Sequence, residues 1–157
     1  MAVQQETTLI IMKPECLQRE LVGEVIRRFE RKGLMIIGMK MLQVDDVLVE
    51  EHYGHLKDKP FFDALKDHIS SAPVIVMALR GTNAVEAVRL IVGPTASYEA
   101  DAGSIRGDFS VSVQSNVVHA SDSLETAKVE LDRFFEPEEL FEYKRPNSPF
   151  ISAENHF

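Results

Sequence analysis

At 157 residues, 45% of them hydrophobic, the chain has enough apolar material for one core and too little length for two domains of ordinary size. Its formal net charge of −8 and pI near 5.1 argue against non-specific nucleic-acid binding, so any polyanionic partner has to be met by a local basic pocket. A single cysteine, Cys16, excludes an internal disulfide, no secretion signal or bilayer-length apolar run is visible, and a reducing cytoplasm is the expected location.

Thr7 to Met12 is predicted as a short buried strand, stopped by the Lys13-Pro14 turn. Leu17, Leu21, Val22, Val25, Ile26 and Phe29 recur at helical spacing and predict one helix, with Gly33 as its C-terminal stop. Leu34 to Val44 is a second strand. Asp45 to about Tyr53 is a polar helical stretch, and Phe61 to Ile69 is a second short helix after the pause at Lys57 to Pro60. Pro73 to Leu79 is the third strand, and Asn83 is placed to cap a helix that Gly93-Pro94 ends. From Gly93 to Gly107 no period is evident, which predicts a long loop of the kind that tends to be functional.

The alternation of Phe109, Val111 and Val113 with Ser110, Ser112 and Gln114 predicts a fourth, half-buried strand, which Val117 and Val118 extend toward His119. A helix follows almost at once, with Asp122 as the expected N-cap, Glu125 three residues on as in a capping box, and Leu124, Ala127, Leu131, Phe134 and Phe135 as its apolar stripe. Pro137 to Tyr143 is an extra turn, and 144–157 an extended surface tail. The order of elements predicts a single α+β domain over 1–157, a ferredoxin-like βαββαβ core with a helical insertion.

His119 is the candidate reactive group, because a junction beside a helix N-terminus favours anions such as phosphate. Residue type alone leaves the alternative of an ordinary structural histidine. Imidazole is a competent nucleophile near neutral pH, and phosphoryl transfer by an acidic protein also needs cations at the pocket. The chain has no Gly-rich P-loop, no Gly-x-Gly-x-x-Gly and no His/Cys/carboxylate cluster with metal-ligand spacing.

The octet Asn116 to Ser123, with Ile11 to Pro14, His52-Tyr53, Lys59 to Phe62 and Ile105 to Phe109 in the same order, resembles the nucleoside diphosphate kinase family from about Thr8 to Tyr143. The resemblance implies a ferredoxin-like fold with an antiparallel four-stranded sheet covered by helices. It also implies ping-pong transfer of a γ-phosphoryl group from a nucleoside triphosphate to a diphosphate through phosphorylated His119, with little base preference. Glu130 then orients the ring, although as a residue it also reads as a solvated charge. Lys13, Arg89 and Arg106 match the family's phosphate-facing cations, Thr95 a hydroxyl on phosphate, Tyr53 a tyrosine near the transferred group, Asn116 a ribose contact and Phe61 the ring on which the base stacks. Ser121 matches a residue near the active site and otherwise reads as a cap. By itself, Arg89 also reads as a partner of Glu86, and Phe61 and Phe62 as two core rings, of which the resemblance turns Phe61 outward.

Mg²⁺ is expected to arrive on the nucleotide's phosphates, without a protein metal site. The expected partners are nucleoside di- and triphosphates and further copies of the chain, in a tetramer or hexamer built from dimers. Neither a membrane nor a specific nucleic acid is expected. Glu15-Cys16 stands where the family usually has Asp-Gly, Ala120 where it often has Gly, and Pro94 and 96–102 also depart, which leaves the phosphate-side loop open. Cys16 suits its place only if the backbone there avoids positive φ. Two other readings stand beside the enzyme, a small-molecule-binding regulatory module and a phosphohistidine relay between proteins.

Overall fold

The computed structural model describes residues 4–151. Strands β1 (Gln5–Met12), β2 (Met35–Leu42), β3 (Val74–Thr82) and β4 (Val118–Ala120) form one sheet in the order β2-β3-β1-β4, with every neighbouring pair antiparallel. This is the ferredoxin-like arrangement. Around it lie α1 (Pro14–Gln18), α2 (Val22–Lys32), α3 (Asp46–Tyr53), α4 (Phe62–Ile69), α5 (Ala84–Val92), α6 (Ile105–Phe109) and α7 (Leu124–Phe134).

The central strand β1 explains the layering. Its side chains alternate between faces, and both sets are apolar because both faces are covered. Ile10 and Met12 pack with Phe29 of α2, Val88 and Val92 of α5 and Met77 of β3. Leu9 and Ile11 pack on the other side with Val49 of α3, Phe62 and Ile69 of α4 and Leu131 and Phe134 of α7. The inserted α3 and α4, together with α7, thus close a face that would otherwise meet solvent.

Several predicted elements change form. The predicted fourth strand does not run through 109–117: Phe109 ends α6, and only Val118–Ala120 pairs with β1. The intervening Ser/Val alternation belongs to a loop folded by its own hydroxyls, in which Ser110 Oγ accepts from Ser112 N at 3.1 Å and donates to Ser115 O at 2.8 Å. Val111 is accordingly 87% exposed. The single helix predicted from Leu17 to Phe29 is broken between α1 and α2, where Glu20 takes φ 58°. Helix α7 is capped by Ser123 rather than Asp122, with Ser123 Oγ accepting from Thr126 N at 3.1 Å, which also removes Glu125 from the capping-box position.

Asn83 precedes α5 but takes φ 47° and makes no capping bond, and Glu6 Oε2 accepts from Val85 N instead at 3.0 Å. The expected loop 93–107 contains a 3₁₀ turn, Ser97–Glu99, and the start of α6, capped by Ser104. Gly107 is required there because a Cβ would stand 1.9 Å from Asp101 O. Gly33 stops α2 as expected, at φ 101°. Cys16 lies inside α1, away from positive φ, and burial first, then Glu15, pushes its thiol up to about 12, so it is an inert packing residue.

The extra turn is the 3₁₀ stretch Pro137–Glu139, after which Phe141 N donates to Ile37 O at 2.8 Å. Of the tail expected over 144–157, Arg145 donates to Gly33 O at 2.9 Å, and residues 152–157 lie outside the described part. Among the described residues no helix is long and apolar enough to cross a membrane.

Candidate active site

The site forms where the C-terminal end of β1 meets β4. Val118 and Ala120 face the α2/α5 core, so the pleat turns His119 between them to the opposite face, toward α3 and α7. Glu130, two turns into α7, reaches back to it. Its Oε2 lies 2.6 Å from His119 Nε2, and its side chain is buried. Burial works to raise the Glu130 carboxyl, but the hydrogen bond from His119 and the electrostatic field of the His119 and His52 rings outweigh it and hold the group below the usual carboxylate range. An ionised carboxylate only accepts, so Nε2 carries the ring proton and Nδ1 keeps its lone pair.

His52 of α3 completes this group. Its ring meets the His119 ring edge-on at 4.8 Å, and its Nε2 lies 3.4 Å from the same Glu130 oxygen. Arg133 Nη1 donates to His52 Nδ1 at 2.8 Å, which places the His52 proton on Nε2. Burial first, and then the His119 charge, lowers His52 to about 3, so it stays neutral. His52, His119 and Glu130 bring three potential ligand atoms within 4.8 Å of one another. They suit hydrogen bonding better than a cation, because an imidazole bound to metal through Nε2 carries a proton on Nδ1, where Arg133 already donates.

In front of His119 opens a cleft of about 990 Å³. Lys13, Tyr53, Phe61, Arg89, Thr95, Arg106, Asn116 and Glu130 all line it together with His119. Lys13 donates from Nζ to Asn116 Oδ1 at 2.7 Å and to Gln114 O at 3.1 Å. Burial draws it down to about 8, opposed by Glu15 and helped by Arg106. Asn116 Nδ2 donates in turn to Thr95 O at 3.2 Å. Arg89 points its Nη1 to Ala120 O at 3.4 Å, on the strand that carries His119. Tyr53 is buried at the end of α3, and burial pushes its phenol well above the usual range.

Arg106 is more than a surface cation at a loop end. It lies in α6, and its guanidinium donates to Asn116 O at 3.2 Å, Gly93 O at 2.9 Å and Val118 O at 2.6 Å, tying both flanks of the site together. Burial, then the Arg89 charge, lowers it to about 10, which leaves it protonated at neutral pH. Phe61 is 50% exposed at the mouth while Phe62 is 6% exposed in the core, the division expected for adjacent helical residues. Ser121 does not line the cleft. It is buried behind His119, with its hydroxyl donating to Leu9 O at 3.4 Å.

The nucleoside diphosphate kinase family model matches residues 6–140. The chain is 50% identical over 152 residues to the nucleoside diphosphate kinase of Parabacteroides distasonis, covering 97% of this chain and 99% of that protein. It belongs to the nucleoside diphosphate kinase family. The nucleoside diphosphate kinase of Pyrococcus horikoshii is 53% identical over 143 residues, covering 89% of this chain and 91% of that one. Among solved structures, the Halobacterium salinarum nucleoside diphosphate kinase in complex with CDP superposes with a TM-score of 0.92 at 36% identity, covering 95% of this chain and 99% of that one. The Borrelia burgdorferi nucleoside-diphosphate kinase with bound vanadate and ADP, a transition-state mimic, superposes with a TM-score of 0.88 at 33% identity, covering 94% and 98%.

As a nucleoside diphosphate kinase, the protein moves a phosphoryl group from a nucleoside triphosphate to a nucleoside diphosphate through a phosphohistidine. That sets aside the regulatory-module and protein-relay readings. The cleft is also lined by His52, Arg133 and Val113, which the sequence had not marked as site residues. His52 had only its place in a motif to mark it, Arg133 had no local signal at all, and Val113 looked like part of a strand. Val113 instead stands 51% exposed on the cleft wall.

Proposed function

We propose that His119 is the phosphate carrier of this kinase. The observation that carries the proposal is the 2.6 Å contact between His119 Nε2 and the buried Glu130 carboxylate, which leaves Nδ1 as the free nucleophile on a ring lining the cleft. Nδ1 attacks the γ-phosphorus of the bound triphosphate, the bond to the bridging oxygen breaks, and the diphosphate departs. A second diphosphate then attacks the phosphohistidine with a terminal oxygen and regenerates the imidazole. Glu130 offsets the positive charge that the ring develops in the first step.

Lys13, Arg89 and Arg106 neutralise the phosphates, Thr95 and Tyr53 offer hydroxyls there, and Asn116 serves the ribose. The base lies against Phe61 and Val113, apolar surfaces that read no base edge, so purine and pyrimidine, ribo- and deoxyribonucleotides are accepted alike. Mg²⁺ enters as part of the substrate, carried by phosphate oxygens, since the protein groups assigned to the phosphates are cations and hydroxyls. The kinase acts in a reducing cytoplasm as one domain that assembles into a tetramer or hexamer of dimers. Met39 and Met41, exposed on the edge strand β2, support a contact between copies.

The test is to mix the protein with γ-labelled triphosphate, isolate it, and add unlabelled diphosphate. Acid-labile, alkali-stable label on His119 that passes to the diphosphate is expected, with none taken up by His119→Ala. Label and transfer retained in that folded variant would show another nucleophile.

A further inference from the structure

Two residues before His119, Val117 takes φ 75°, a left-handed conformation that a β-branched side chain rarely adopts. Its side chain is fully buried. Backbone held in this way persists only where its surroundings determine it, and such strain collects at working sites. Here the determinants are visible. Val117 O accepts from Lys13 N at 2.9 Å, and Val117 N donates to Glu15 Oε1 at 3.0 Å. Glu15 is itself fixed from the other side, its Oε2 meeting His68 Nε2 of α4 at 2.7 Å. The Glu15 side chain is 9% exposed and does not line the nucleotide cleft.

The segment so held carries the site. Asn116 immediately precedes Val117 and places Oδ1 on Lys13 Nζ at 2.7 Å, while β4, bearing His119, begins immediately after. A change of φ at Val117 would swing Asn116 and its lysine partner against His119. We propose that Glu15 is a positioning residue for phosphoryl transfer: its carboxylate holds Val117 in the left-handed conformation and thereby sets the geometry between Lys13, Asn116 and His119. This rests on His119 being the nucleophile. It also gives position 15 a requirement of its own, an acceptor that reaches the Val117 N–H from the first turn of α1.

An acceptor, rather than a charge, is what this role needs, and that separates it from a mere electrostatic effect on Lys13. The experiment measures the single-turnover rate of His119 phosphorylation at saturating ATP near neutral pH, the ADP dissociation constant, and folding by circular dichroism. Glu15→Ala is expected to slow phosphorylation by about 10-fold or more while remaining folded, the scale of a small misplacement of reacting groups. Glu15→Gln keeps an acceptor and is expected to stay within about threefold of the wild type. In a Val117→Gly background, where positive φ needs no restraint, the loss from Glu15→Ala is expected to shrink to less than about threefold.

An unchanged rate in Glu15→Ala, a Gln variant as slow as Ala, or an equal loss in both backgrounds would overturn the proposal. Should Val117→Gly not fold, the comparison of Ala with Gln decides alone. A wild type that takes no phosphate on His119 would instead refute the nucleophile assignment.

Discussion

Glu130 looks like a solvated helix charge when α7 is considered alone, yet it is 3% exposed and shares one oxygen between two imidazoles. That sharing gives its removal a measurable meaning. Glu130→Gln keeps the shape but can turn an amide N–H toward His119, which releases the tautomer and withdraws the charge that offsets the developing cation. We expect transfer to slow by about 10- to 100-fold without vanishing, the scale for losing a group that orients a reacting residue. An unchanged turnover number would remove Glu130 from that role. Lys13 makes a pH prediction. Lowered by burial to about 8 in the free enzyme, it loses its proton earlier than an exposed lysine. Affinity for ADP is therefore expected to weaken as pH rises through about 8, and Lys13→Arg is expected to hold its affinity beyond that point. Calorimetric titrations with the same pH slope in both proteins would contradict this.

At the scale of elements, the brevity of β4 matters most. Three residues pair with β1, and the chain then leaves at Ser121 for the N-terminus of α7, so His119 is presented from the sheet while the loop before it, closed by its own hydroxyls, lines the cleft. Helix α4 divides its labour similarly. Phe62 enters the core and anchors the helix, and Phe61 remains at the mouth. Stacking is worth roughly 1–3 kcal/mol per base and scarcely depends on which base, so Phe61→Ala is expected to lower kcat/KM for ATP, GTP, CTP and dTTP by similar modest factors. A selective loss for one base, or a wild type that discriminates by more than about a thousandfold, would show edge readout instead.

Across the whole molecule, covering both faces of the sheet draws polar groups into the interior beside α3 and α7, and His52 is the most affected. Its proton affinity falls from the ordinary 6.5 to about 3 on folding. The unfolded chain therefore takes up a proton on His52 below pH 6.5 that the folded protein refuses until about 3. Its contribution is full above pH 6.5 and is lost as the pH falls toward 3. Denaturant melts are expected to show this loss of stability, and His52→Asn, which keeps an acceptor for Arg133, is expected to flatten it between pH 6.5 and 5. An equal slope in the variant would exclude His52 as the cause.

What the sequence determined by itself is what local pattern controls. The apolar runs of β1 and β3 announce strands buried on both faces, Gly33 announces a left-handed helix stop, and the motifs around Lys13, Phe61, Arg106 and His119 announce a nucleotide-handling site. Where the chain misled, two local codes overlapped: the Ser/Val alternation before β4 has strand periodicity, but its hydroxyls close a loop. Only the tertiary structure decided that Ser123 rather than Asp122 caps α7, that Glu130 is buried, that His52 is neutral and that Glu15 restrains Val117. Each of these depends on side-chain or backbone geometry that sequence spacing does not encode, and the Glu15–Val117 contact joins residues 102 positions apart. Periodicity tells which face of an element is covered, but a hydrogen bond between distant elements exists only once packing has brought donor and acceptor within reach.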